Sequence, residues 1–195
     1  EYSKVCYIFA IVKHEIFIDG YIGDLSSFGI KAKDCYTFSD FESDLSKMPK
    51  ATKVLDVHID SGGGLVTDGY KMYDALNALD GIVVNTIAEK NCKSIATVIA
   101  QAGKRNGVRK GYINTDYTIH FPLWKPQAEE IYNAQDLELV TAALKKEEET
   151  ILNIYAASST TPKDSLMAKM AEDMPMSCEE AKSYGLIDEI ISESI

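Results

Sequence analysis

Over residues 53–60 apolar and polar positions alternate: Leu55, Val57 and Ile59 are separated by Asp56, His58 and Asp60. A period of two puts one set on each face of a half-buried strand. His58 then shares the polar face with the two aspartates and reads as their surface partner. Residues 5–12 and 15–22 predict two more strands, broken around Lys13 and His14, with His14 at a surface turn. Gly20 and Gly23 mark tight turns or close backbone approach. Apolar runs at 82–88, 108–114, 116–120 and 186–191 predict the remaining strands, and the first of these feeds a polar turn, Glu89-Lys90-Asn91-Cys92-Lys93.

Between the strands the period becomes helical. Phe41, Leu45 and Met48 share a face behind a capping-box pattern, Ser39-Asp40-Phe41-Glu42, and Pro49 ends that helix. Val66, Tyr70, Tyr73 and Leu76 form a second face, and Ile95, Val98, Ile99 and Ala102 a third, stopped by Gly103. Residues 127–157 carry an imperfect apolar face (Ile131, Leu137, Val140, Leu144, Ile151, Tyr155) and predict one helix of about 45 Å. Such a helix is long enough to project and meet a partner subunit. Its charged patch, residues 145–149, reads as a solvated face. Thr161-Pro162-Lys163-Asp164 starts a short helix with Pro162 at its first position, and Ser177-Cys178-Glu179-Glu180 caps another that ends at Gly185. Asp173 falls in the turn between them. Strands alternating with helices make the chain α/β. Its 195 residues, 46% of them hydrophobic, suit one domain spanning 1–195 with a sizeable core.

Three places depart from pattern. Ser61-Gly62-Gly63-Gly64 directly follows the alternating strand, and consecutive glycines cost backbone entropy. The run fits neither phosphate-loop pattern. It reads as backbone N–H groups held bare for an oxyanion or a docked peptide, or as a plain tight turn. Ser94 opens the helix after the polar turn. It reads as an N-cap, or as a nucleophile near the positive end of a helix dipole. His120 ends a predicted strand, where α/β proteins place functional side chains, although a lone histidine is more often structural.

Charge and cysteine usage narrow the function classes. A net charge of −10 argues against a general nucleic-acid binder, although residues 104–110 are locally basic and leave room for a local patch. No apolar run reaches the roughly 18 residues that span a bilayer. Residues 5–12 lack a basic flank and a small-residue cleavage site, so they read as a buried strand and not a signal peptide. Cys6, Cys35, Cys92 and Cys178 show no zinc-like spacing. They are expected to be reduced thiols in a cytoplasmic protein, with no cofactor or metal implied.

Four ordered segments together resemble the Clp protease proteolytic subunit and the related ClpP-like head-maturation proteases of phages. They are Ile59-Asp-Ser-Gly-Gly-Gly-Leu-Val-Thr-Asp-Gly69, Ser94-Ile-Ala-Thr-Val-Ile-Ala-Gln-Ala-Gly103, Ile119-His-Phe-Pro122 and Glu179-Glu-Ala-Lys-Ser-Tyr-Gly-Leu-Ile-Asp188. Trp124, shortly after His120, leans toward the phage branch. The resemblance implies a crotonase-like α/β fold of repeated β-β-α units with a long handle helix at about 127–157. By position, Ser94 resembles the family nucleophile, His120 its general base and Asp173 its orienting carboxylate. Gly64 and Ile95 match the two oxyanion-hole N–H positions. The implied activity is serine-type endopeptidase hydrolysis of peptide bonds through an acyl-enzyme. The family's small residues before the serine are replaced here by residues 89–93, and the proline of its Ser-Pro-Gly-Gly is Gly62.

The implied partners are a protein or peptide substrate and further copies of the chain in a ring. The chain has no phosphate loop, so ATP-driven unfolding would come from a separate AAA+ unfoldase. A phage-type member would act on capsid or scaffold proteins instead. Two other readings share the fold: a catalytically inactive assembly subunit, and a crotonase-type acyl-CoA enzyme with paired oxyanion donors. Lys90 and Lys93 raise a Ser–Lys mechanism, against which His120 counts.

Overall fold

The structure, a computed structural model, describes residues 11–126 and 131–192. Its frame is a parallel sheet in the order β1 (Lys13–Asp19), β4 (Val54–Ser61), β5 (Val83–Lys93), β6 (Arg109–Tyr112) and β8 (Glu189–Ile191). A further strand, β7 (Asp116–Thr118), pairs with the end of β5. Two short strands, β2 (Tyr21–Ile22) and β3 (Cys35–Tyr36), form a separate parallel pair. The alternation along β4 is realised: Leu55, Val57 and Ile59 are fully buried, while Asp56, His58 and Asp60 are only partly covered on the other face.

Helices α2 (Val66–Asn77) and α3 (Ile95–Ala100) cover the apolar face. Met72 and Leu76 of α2 and all six residues of α3 are buried. Helix α1 (Phe38–Ser46) inserts Phe41 into the same core. The long helix α4 (Ala134–Ser158) has 25 residues, about 37 Å at 1.5 Å per residue. Its C-terminal part docks through Ile151, Tyr155 and Ser158, while Leu137 and Leu139 near its start are exposed. Helices α5 (Lys163–Glu172) and α6 (Cys178–Ser183) lead back to β8. No helix among the described residues is long and apolar enough to cross a membrane.

Several boundaries differ from the sequence expectation for identifiable reasons. The strand expected at 5–12 lies mostly outside the described residues. Strand β1 starts at Lys13 and includes His14, which pairs opposite Leu55 and is not in a turn. Strand β5 continues through the polar stretch to Lys93: Asp60 accepts the Asn91 N–H at 3.0 Å, Cys92 is buried, and β7 supplies new pairing partners. The capping box of α1 belongs to Thr37 and Asp40, two residues before the expected pair. Helix α4 begins at Ala134, where Asn133 and Asp136 form a reciprocal cap; residues 127–130 lie outside the described set. Pro162 is the N-cap of α5 and not its first helical residue. His58 pairs with Glu89 of β5 at 2.5 Å, across the sheet and not along its own strand.

Candidate active site

The pairing of β5 with β7 assembles the site. Lys93 lies opposite Thr118, and the N–H of the next residue, Ser94, donates to the Thr118 carbonyl at 2.9 Å. The ends of two neighbouring strands thereby bring Ser94 beside the segment that carries His120. Ser94 itself sits at φ 55°, ψ −130°, a left-handed value that few side-chain-bearing residues adopt. That backbone turns the chain sharply from β5 into α3 and sets the hydroxyl at the bend. Strain of this kind is held by surrounding structure and clusters at functional positions.

The glycine run accounts for part of that holding. A Cβ on Gly63, at φ 94°, would lie 2.5 Å from the Cβ of Ser94, so the two backbones meet where only glycine fits. Gly64 lies as close to β2, where an added Cβ would be 2.0 Å from the Ile22 carbonyl oxygen. Ile22 donates to the Gly63 carbonyl at 2.9 Å and accepts from the Leu65 N–H at 2.8 Å. A parallel bridge of this form turns the N–H of Gly64 away from β2. Ile95 is the first residue of α3, whose first-turn N–H groups have no carbonyl partner within the helix.

Ser94, Gly63, Gly64, Ile95 and His120 all line one cavity of about 480 Å³. Its other wall is apolar and comes from distant parts of the chain: Leu25, Phe28 and Ile30 from the loop after β2, Leu123 after His120, and Ile151 and Tyr155 from α4. Lys125 lies over the Phe28 ring, 5.2 Å from its centre. These lining residues were not legible in the sequence, since no local pattern links positions 25–30 to 151–155.

Asp173 reaches the site through backbone geometry. It caps α5 in the left-handed region, at φ 48°. Three residues on, Met176 forms an antiparallel bridge with Tyr117 of β7, N–H to carbonyl at 2.7 Å and 3.3 Å. The bridge sets the segment against β7, and Oδ1 of Asp173 lies 3.3 Å from Nδ1 of His120. The contact is within ion-pair reach but is not aligned as a hydrogen bond, and the Asp173 carboxylate is 62% exposed. No hydrogen bond joins the Ser94 hydroxyl to His120 among the described residues. Catalytic hydrogen bonds are commonly long in ligand-free proteins and tighten around substrate.

Behind α3 a buried polar network fixes the helix. The side-chain amide of Gln101 donates to the Thr97 carbonyl and the Tyr117 hydroxyl, both at 3.1 Å, and accepts from Arg109 at 2.6 Å. Arg109, 1% exposed, also donates to both oxygens of Asp188, at 3.0 and 2.7 Å. Burial alone would raise the Asp188 carboxyl, but Arg109 holds it down to about 2.

A second titratable cluster lies on the opposite face of the sheet. Ligand atoms of Glu15, Asp56 and His58 come within 4.8 Å of one another. The Lys13 ammonium already bridges Glu15 and Asp56 at 2.9 and 2.8 Å. Its hydrogen bonds to Asp56 and Glu15 hold its pKa above the usual lysine range. Lys13 already offsets part of the charge of these two carboxylates, and His58 shares none of the cavity lining.

The sequence matches the model of the Clp protease family over residues 45–194. It is also 29% identical over 160 residues to the ATP-dependent Clp protease proteolytic subunit from each of two strains of Bacteroides fragilis. Those matches cover 81% of this chain and 74% and 70% of the two relatives.

Proposed function

The chain belongs to the Clp protease family, and from that premise we propose that it is a serine peptidase with Ser94 as nucleophile, His120 as general base and Asp173 as the carboxylate that orients it. The observation that carries the reading is the strained bend at Ser94, opening on one cavity with His120 and the Gly63–Gly64 backbone.

A serine hydroxyl is a weak nucleophile at neutral pH and needs an adjacent base. His120 takes the Ser94 proton as Oγ attacks the scissile carbonyl carbon. The carbonyl oxygen becomes an oxyanion, held by the N–H groups of Gly64 and Ile95. His120 then returns the proton to the leaving amine, and water repeats the sequence on the acyl-enzyme. Asp173 keeps His120 in the tautomer with its free nitrogen toward Ser94. The apolar wall of the cavity suits an apolar substrate side chain beside the cleaved bond. We further propose that copies assemble into a ring and that a separate ATP-driven unfoldase supplies substrate, in keeping with the relatives' description as the proteolytic subunit of an ATP-dependent protease.

Intact-mass analysis after fluorophosphonate treatment tests the site. A single adduct is expected on wild type and none on Ser94→Ala, with His120→Ala labelled at least 100-fold more slowly. A folded wild-type protein that forms no adduct would overturn the assignment and leave a non-catalytic member of the family.

A further inference from the structure

One chain of hydrogen bonds leads from the long helix to the bend at Ser94. The Ser94 carbonyl accepts from the Thr97 N–H at 3.0 Å and from the Thr97 hydroxyl at 2.5 Å. The Thr97 hydroxyl also meets the Tyr155 hydroxyl at 2.6 Å. The direction follows from the atoms. A carbonyl only accepts, so the Thr97 hydroxyl spends its one proton on Ser94. It must therefore accept from Tyr155, which donates. Tyr155 is 1% exposed, and burial raises its pKa above the ordinary tyrosine value, which keeps that proton in place.

The Ser94 carbonyl and the Ile95 N–H belong to the same peptide unit. In a planar trans peptide they point in opposite directions. A group that grips the carbonyl oxygen therefore aims the N–H. In this chain the carbonyl is gripped by Thr97 of the helix, which leaves the Ile95 N–H on the side away from that grip, and Ile95 lines the cavity. We propose that Thr97 and Tyr155 are positioning residues that hold the Ser94–Ile95 peptide in its oxyanion-binding orientation, so that the docking of α4 sets the competence of the oxyanion hole. The inference rests on the assignment of Ser94 and Ile95 made above. Neither hydroxyl reaches the reacting atoms; both act through the peptide. The same stretch of α4 supplies Ile151 to the cavity wall, so one helix both shapes the cavity and steadies the donor.

The test is steady-state cleavage of a fluorogenic peptide with an apolar residue before the cleaved bond, by full-length Thr97→Val, Thr97→Ser, Tyr155→Phe and the double variant Thr97→Val/Tyr155→Phe. Each substitution is nearly isosteric, and thermal unfolding checks the fold. Thr97→Val and Tyr155→Phe are expected to lower kcat about tenfold with KM within about twofold, because an aimed donor acts mainly in the transition state. Thr97→Ser, which keeps the hydroxyl, is expected to return kcat to within about twofold of wild type. The double variant is expected to be no slower than the slower single variant, since both cut one chain. The pH midpoint of kcat should stay in place, because His120 is untouched. Unchanged kcat in folded Thr97→Val, a loss confined to KM, or losses that multiply in the double variant would overturn the proposal. Ser94→Ala run alongside separates the two levels. Full activity there would refute the active-site assignment itself. A dead Ser94→Ala with a normal Thr97→Val would refute only the positioning role.

Discussion

The pairing of Arg109 with Asp188 gives a quantitative expectation. Asp188 titrates at about 2 where an unperturbed aspartate titrates at 3.8. At about 1.36 kcal/mol per pH unit, that difference is worth roughly 2 kcal/mol of stability. Its sign is set by the direction: the folded carboxyl is depressed, so the stabilisation is complete above about pH 5 and is lost as pH falls through 3.8 to about 2. The carboxylate is 29% exposed and Arg109 almost fully buried, so solvent screens the pair only in part. Asp188→Asn should therefore cost at least that amount at pH 7. Arg109, left buried without its counter-charge, should raise the cost toward the 3–5 kcal/mol or so typical of a broken buried pair. Urea unfolding of wild type and Asp188→Asn by circular dichroism, repeated from pH 7 down to pH 2.5, measures the gap. It should narrow by about 1.5 kcal/mol between pH 5 and pH 2.5, with the remainder lost only below the folded value near 2. A gap that stays constant from pH 5 to 2.5 would refute the reasoning, because the Asp188 charge would then contribute nothing specific.

Gly63→Ala places a Cβ 2.5 Å from that of Ser94 at φ 94°; it should cost about 1–2 kcal/mol for the left-handed backbone and slow fluorophosphonate labelling of Ser94 at least tenfold, and wild-type labelling would show that the loop does not support the bend. Cys92 is fully buried and its thiol is pushed up by burial, whereas Cys35 is partly exposed. Iodoacetamide at pH 8 followed by peptide mapping should modify Cys35 in the native protein and Cys92 only after unfolding, and equal native rates would contradict the packing. Thr37→Ala should cost about 1 kcal/mol in urea unfolding while Ser39→Ala stays within a few tenths, and the reverse order would return the cap of α1 to Ser39.

The central strand and the helix faces were legible because each is a local pattern that its own residues satisfy. Leu55, Val57 and Ile59 are buried as their alternation requires, and Ile95, Val98 and Ile99 are buried as their spacing requires. Local composition misleads where a distant partner outvotes it. The polar residues 89–93 look like a turn, yet they stay in β5 because Asp60 and β7 satisfy them. His14 looks like a turn residue until β4 pairs with it. His58 finds Glu89 because parallel strands set side by side what lies 31 residues apart.

The candidate site divides along the same line. Ser94, His120 and the glycine run stand out because each residue type is costly or unusual at its position, and the order of the motifs resembles one family. The family membership was thus within reach of the sequence by itself. Tertiary structure alone decided what those residues face. Pairing of β5 with β7 sets Ser94 beside the His120 segment, and the Met176–Tyr117 bridge brings Asp173 to 3.3 Å from the imidazole. The docking of α4 delivers Tyr155 to Thr97 across 58 positions. Composition and periodicity report the environment each residue needs, because burial and backbone conformation are properties of a short segment. They do not report which distant segment supplies that environment, because a contact between remote segments exists only once the chain has closed on itself.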